Sequence, residues 1–117
     1  MAVSIARIYD EPATPGGYRV LVDRLWPRGV SKERAALDEW LKDVAPSTEL
    51  RAWFHHEERL WPEFEQRYRR ELAENPALAE LEELVAKHPD ITLLYGAKDP
   101  EHNQAVVLQR VLAERKP

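Results

Sequence analysis

Charged side chains cluster in residues 23–32, directly after a short apolar run at residues 20–22. Asp23, Arg24, Arg28 and Lys32 are interspersed there with tryptophan, proline and glycine. Guanidinium groups bind carboxylates and phosphates through paired, charge-assisted hydrogen bonds, and a nearby carboxyl group can transfer protons. The pattern predicts an anion pocket in which Arg24, Arg28 and Lys32 bind the ligand and Asp23 is a catalytic acid or base.

A second polar group follows the apolar run at residues 91–95. Lys98 and Asn103 are predicted to contact a phosphate or a carbonyl group of the ligand, and Asp99 is a further candidate for ligand binding. His102 is predicted to transfer protons, because the unperturbed histidine pKa is near 6.5. Asp99 also has the sequence of a helix N-cap, since Pro100 follows it and glutamate comes next.

Both groups have structural alternatives that the sequence leaves open. Asp23 could pair with Arg24 or Lys98, and the arginines could be solvated loop charges. Trp26 is interpreted as a core residue, because large aromatic side chains dominate small cores. The same charges would then form a salt-bridge network without a ligand.

Other kinds of site have little support in these residues. His55, His56 and Glu57 have the composition of a metal site, but adjacent helical residues point about 100° apart and no His-Glu-x-x-His spacing follows. The sequence has no glycine-rich dinucleotide motif, Walker loop or serine-hydrolase elbow. We therefore predict no metal and no cofactor.

The composition of the chain limits its class. Its 117 residues, 44% of them hydrophobic, fit one domain over residues 1–117. It has no cysteine, so neither disulfides nor thiolate chemistry is available. Because it has neither a long apolar run nor the features of a signal peptide, we expect a cytoplasmic protein without membrane contact.

The net charge of −4 is unevenly distributed. Residues 19–34 carry five basic and two acidic side chains, whereas residues 57–90 carry five basic and ten acidic ones. Duplex DNA binding normally recruits basic side chains along an extended face. The local basic charge therefore favours a small anion as partner over nucleic acid.

Three strands are predicted, at residues 3–9, 18–23 and 91–95. Helices are predicted over residues 37–44, after Ser47, from Trp61 and Pro62, after Asn75, and after Asp99. The expected fold is a three-layer α/β domain whose small, mainly parallel sheet of three or four strands is flanked by helices. Six aromatic residues at helical spacings are expected in the core: Trp40, Trp53, Phe54, Trp61, Phe64 and Tyr68.

The strands determine where the two polar groups lie. Ligands of open α/β sheets collect beyond the carboxyl ends of the strands. If the strands at residues 18–23 and 91–95 are parallel neighbours, their following loops share one cleft near the positive end of a helix.

Three motifs together resemble a known family. They are residues 19–32, the run Ala-Pro-Ser-Thr-Glu-Leu-Arg-Ala-Trp-Phe at 45–54, and Leu-Leu-Tyr-Gly-Ala-Lys-Asp-Pro-Glu-His-Asn-Gln-Ala-Val-Val-Leu at 93–108. They closely resemble the YeaO-like branch of the domain of unknown function 488. The resemblance implies a small cytoplasmic prokaryotic α/β protein, but it does not indicate which activity the protein has.

The functional hypotheses are three. The first is a protein that binds or acts on a small anionic ligand, phosphorylated or nucleotide-like, at a basic pocket formed by the loops after the second and third predicted strands. The second is a non-catalytic interaction module or homodimer, which exposure of Trp53 and Trp61 together would favour. The third and weakest is a single-stranded nucleic-acid contact that uses Trp26 for stacking.

Overall fold

The protein is described by a computed structural model that covers residues 2–10, 17–55 and 57–114. Four strands form one parallel sheet in the order β1-β4-β2-β3. They are β1 (Ala2–Arg7), β2 (Tyr18–Leu21), β3 (Glu39–Trp40) and β4 (Asp90–Tyr95).

The condition set for a shared cleft is met, because β2 and β4 are parallel neighbours. Val20 of β2 pairs with Leu93 of β4 in parallel register, and the ladder extends past β2 because the Val22 N–H donates to the Leu94 carbonyl at 3.0 Å. The carboxyl ends of β2 and β4 therefore lie side by side.

In the part of the chain that the structure describes, five α-helices pack around the sheet: α1 (Lys32–Ala35), α2 (Thr48–Phe54), α3 (Trp61–Ala73), α4 (Pro76–Lys87) and α5 (Gln104–Glu114). Two predicted N-caps are confirmed. The Ser47 side chain accepts from the Leu50 N–H, and the Asn75 side chain accepts from the Ala77 N–H, so each satisfies a backbone donor that the first turn leaves unpaired.

The sheet separates two apolar clusters. Side chains alternate along a strand, so Val20 and Leu93 lie in one cluster and Leu21 and Leu94 in the other. The larger cluster includes apolar side chains of α2 to α5, and the smaller includes Ala35 of α1. The predicted three-layer α/β architecture is confirmed.

The helix predicted over residues 37–44 is wrong. This segment forms β3 and a single 3-10 turn at Lys42–Val44. The N–H groups of Asp38 and Leu41 donate to carbonyls of residues 19 and 21, both at 2.9 Å, so the segment pairs with β2 as an edge strand. Its apolar spacing resembles a helical stripe because Leu41 and Val44 are buried in the larger core cluster, although neither lies in an α-helix.

Two aromatic predictions need correction. Trp40 is 38% exposed and is not a core residue, since it lies on the edge strand. Trp53 is only partly buried, whereas Trp61 is buried. The two are not exposed together, so the condition set for a dimer face on these helices is not met.

Within the described ranges, no helix has the length and apolar composition needed to cross a bilayer.

Candidate functional site

The loops after β2 and β4 meet beyond adjacent carboxyl ends. After β2, the chain crosses the face of the smaller cluster, where Val30 and Ala35 are buried. After β4, it enters α5 on the opposite face, where Ala105 and Leu108 are buried. Neighbouring strands whose connections leave to opposite faces create a crevice in which α/β proteins bind ligands. A cavity of about 250 Å³ lies there, which we call the first cavity.

Asp23 joins the two loops at the base of the first cavity. Its Oδ2 accepts from the Gly96 N–H at 2.8 Å, and its Oδ1 accepts from the side-chain amide of Gln104, the first residue of α5. Burial raises the pKa of Asp23 to about 6, although these hydrogen bonds and the charge of Arg51 act in the opposite direction. Asp23 is therefore poised to change charge in mildly acidic solution.

Gly96 is required by this close approach. A Cβ atom built on Gly96 would lie 2.9 Å from Oδ2 of Asp23, closer than real Cβ contacts allow. The absence of a side chain at this position lets the carboxylate reach the backbone N–H.

Arg24 lines the first cavity and anchors its wall. Its guanidinium donates to the carbonyls of Ala45 and Pro46 at 3.1 and 3.3 Å. These bonds fix the segment before α2 against the loop after β2, so Arg24 has a structural role in addition to its charge.

Arg51 was not singled out from the sequence. It is exposed on α2, lines the first cavity and lowers the pKa of Asp23 through its charge. No salt bridge involves it in the part of the chain that the structure describes. Its guanidinium is thus available to an anion in the cavity.

A second cavity of about 310 Å³ adjoins the first. The two share a wall formed by Pro46, Arg51 and Gln104. His102 lines the second cavity, where its Nδ1 lies 2.7 Å from Oδ2 of Asp99 and its ring meets the Trp61 ring edge-to-face at 5.1 Å.

The two residues predicted to transfer protons therefore line different cavities. Asp23 lines the first and His102 the second. Their catalytic roles stay a prediction.

The sequence predicted Asp99 as the N-cap of the last helix, and this prediction is wrong. The helix begins at Gln104, and Asp99 instead accepts from the Glu101 N–H in the turn before it. Asn103 does the capping: its Oδ1 accepts from the Val106 N–H, and its Nδ2 donates to the Asp99 carbonyl at 2.8 Å. Asn103 is 2% exposed, and its side-chain amide makes hydrogen bonds to the backbone on both sides of the helix start.

Three of the predicted cations lie apart from both cavities. Arg28 is exposed, and its carbonyl accepts from the Tyr9 hydroxyl. Lys32 begins α1 and Lys98 lies in the turn after β4, and both are exposed. None of the three lines either cavity. Their assignment as ligand contacts stays a prediction.

Trp26 is partly buried and packs against the smaller cluster. Its indole N–H donates to the Val30 carbonyl at 2.7 Å, and its ring meets the Trp40 ring edge-to-face at 5.4 Å. It also lines the first cavity.

Metal binding has no support among the described residues, which contain no cluster of three or more histidine, cysteine, aspartate or glutamate side chains. His55 lines the second cavity, whereas His56 lies outside the described residues.

Comparison with known proteins gives close relatives without an assigned activity. The sequence model described as "Inactive DUF488-N3 subclade" matches residues 2–116. The uncharacterized protein YeaO of Escherichia coli (strain K12) is 45% identical over 108 residues, which cover 92% of this chain and 94% of YeaO. The uncharacterized protein Rv3073c of Mycobacterium tuberculosis (strain ATCC 25618 / H37Rv) is 41% identical over 113 residues, which cover 97% of this chain and 95% of that protein. No solved structure matches the chain significantly.

Proposed function

Because the chain belongs to the inactive DUF488-N3 subclade, we propose that it binds a small anionic ligand without transforming it. The ligand is phosphorylated or nucleotide-like, and its anionic group lies in the first cavity. This location is the crevice at which open α/β sheets bind ligands.

One observation carries the proposal: Arg51 is exposed and lines the first cavity together with Asp23 and Arg24, and its charge acts on the Asp23 carboxyl. Arg51 would bind the anion directly, since it has no competing salt bridge among the described residues. Arg24 would add positive charge from the opposite wall while its hydrogen bonds maintain the shape of the cavity. Protonation of Asp23, whose pKa is raised to about 6, would remove the repulsion between its carboxylate and the ligand.

The surroundings of the titratable side chains support binding over catalysis. Both oxygens of Asp23 accept hydrogen bonds, from Gly96 and Gln104, and His102 is held by Asp99 in the adjoining cavity. Asp23 and His102 therefore do not form an acid–base pair around one point of the first cavity. Binding of an anion without catalysis requires only the guanidinium groups of Arg24 and Arg51 and a cavity of suitable shape.

The test is a thermal-shift titration with inorganic phosphate and sulfate. We expect either anion to raise Tm of the wild type, because a ligand that binds only the folded state stabilises it. Arg51→Gln should remove that shift. The matched control is Arg59→Gln, because the Arg59 side chain is 77% exposed and pairs only with Glu57 among the described residues. The proposal fails if no anion stabilises the wild type or if Arg51→Gln retains the full shift.

A second candidate function has its own observation. Leu25 is 63% exposed and Trp40 is 38% exposed, and Trp40 adjoins Trp26. Exposed apolar side chains in one area favour a contact surface, here for a second copy of the chain. Light scattering should then show a dimer that Leu25→Glu dissociates. A wild type that stays monomeric at high concentration would eliminate this candidate.

A further inference from the structure

We propose that the ligand is an organic phosphodiester, with its phosphate at Arg51 and one organic group in each of the two cavities. This inference rests on the proposed function, because it assigns the anionic group to Arg51. It adds the chemical class: a phosphate with two organic substituents, in contrast to a phosphate monoester.

The shared wall carries the inference. The two cavities, of about 250 and 310 Å³, meet at Pro46, Arg51 and Gln104. Arg51 is the cation of that wall, so an anion bound to it has a cavity on either side. A phosphate monoester bound there would fill one cavity and leave the other empty. A diester would fill both.

Each cavity suits an organic group. The first is lined by Tyr9, Leu25 and Trp26, and the exposed side chain of Leu25 would be covered by a bound group. The second is lined by Ala52, Phe54 and Phe64, with His102 and Thr48 as polar partners. Small-molecule pockets combine such apolar walls with a few polar groups, and here each side of Arg51 has that combination.

The charge of the wall also fits a diester. A phosphodiester has a single negative charge at neutral pH, whereas a monoester approaches two. Arg51 is the one cationic residue of the shared wall, and Asp23 lines the first cavity beside it. Two negative charges beside a carboxylate would be opposed more strongly than one.

Calorimetric titration of the wild type with diphenyl phosphate and phenyl phosphate tests the inference. We expect the diester to bind about tenfold more tightly than the monoester. Ala52→Trp, an exposed position on α2 that lines the second cavity, should reduce diester affinity to that of the monoester and leave monoester affinity unchanged. Ala79→Trp, at an exposed position of α4, is the matched control and should change neither.

A second variant covers the possibility that Ala52→Trp does not fold. His102→Ala should weaken the diester several-fold and leave the monoester unaffected, because only the second organic group reaches His102. A diester preference that both variants leave intact would overturn the inference, since the preference would then not involve the second cavity.

The remaining outcomes separate this inference from the proposed function. Equal affinities for diester and monoester would overturn the diester assignment and leave the anion site standing. Absence of binding by either probe, and by inorganic phosphate, would overturn both. A short single-stranded thymidine oligonucleotide tests the other source of phosphodiesters. If it bound more tightly than diphenyl phosphate, the small-molecule assignment would be overturned in favour of a nucleic-acid backbone.

Discussion

The carboxylate of Asp23 accepts a hydrogen bond of 2.8 Å from the backbone N–H of Gly96, 73 positions away along the chain. The bond joins the loops after β2 and β4 and defines the base of the first cavity. Asp23 is largely buried, and its approach to the backbone depends on the absence of a side chain at residue 96.

Gly96→Ala should destabilise the protein by about 1–3 kcal/mol, because the added Cβ would force Asp23 away and leave the partly buried N–H of residue 96 without its partner. Gly17→Ala is the control, since its Cβ would meet its nearest neighbour, the Asp90 carbonyl, at an ordinary 3.7 Å. Urea unfolding of both variants measures the difference. Equal stabilities would contradict the role assigned to the Asp23–Gly96 bond.

The stability of the protein should depend on the ionisation of Asp23. Burial raises its pKa to about 6 from 3.8, so the folded chain holds this proton more tightly than the unfolded chain does. Its contribution to the free energy of unfolding is therefore fully present below about pH 4 and is lost as the pH rises to about 6, by an amount on the order of 3 kcal/mol.

Asp23→Asn has no such ionisation. The difference in unfolding free energy, wild type minus variant, should therefore decrease between about pH 4 and about pH 7. Urea denaturation across that range measures it. Parallel pH profiles for the two proteins would show that Asp23 ionises with an unshifted pKa.

Anion affinity should depend on the same proton. Sulfate keeps its charge across the range, so a stronger affinity at about pH 5.5 than at about pH 7.5 would reflect the protein. We expect sulfate to bind the wild type more tightly as the pH falls through the pKa of Asp23, which is about 6. Asp23→Asn should bind sulfate with a flatter profile. Identical profiles would assign the titration to another group.

The strands that carry the site were predictable from the sequence. Residues 20–22 and 91–95 are apolar on both faces, as expected of interior strands, and each run ends in polar turn residues. The sequence left the order of the strands open, and the adjacency of β2 and β4 comes from the structure. Asp23 and Arg24 were accordingly singled out as candidate site residues, because they lie immediately after such a strand, and their roles stay a prediction.

Arg51 was not predictable in the same way. It lies on α2, between apolar residues that indicate only an amphipathic helix. Its position depends on how α2 packs over the ends of the sheet, which local spacing does not contain. Residues 99–101 illustrate the opposite problem: Asp99 and Pro100 have the local pattern of a helix start, but Asn103 binds the backbone on both sides and moves the start to Gln104.

Asn103→Ala should cost about 1–3 kcal/mol of stability, because it would leave the Asp99 carbonyl without its partner and would leave the Val106 N–H with only the backbone carbonyl of residue 103 as acceptor. Asp99→Ala should cost less, since Asp99 is partly exposed. Anion affinity of the folded Asn103→Ala protein should remain close to that of the wild type if the role is structural. If Asn103→Ala lost anion affinity without losing stability, Asn103 would be a ligand contact, as the sequence predicted.

Trp40 connects the edge strand to the site. Its indole N–H donates to the Asp23 carbonyl at 2.7 Å, so Trp40→Phe should keep the aromatic contact with Trp26 and lose about 0.5–1.5 kcal/mol of stability. Sulfate affinity should fall several-fold, because the backbone beside Arg24 loses an anchor. Trp53→Phe is the control, since Trp53 packs under the guanidinium of Arg67 and lines neither cavity. Urea unfolding and sulfate titration of both variants distinguish the two roles. If Trp40→Phe and Trp53→Phe lose the same sulfate affinity, Trp40 acts only through the stability of the fold. If only Trp40→Phe loses affinity, the exposed tryptophan of the edge strand positions the anion site.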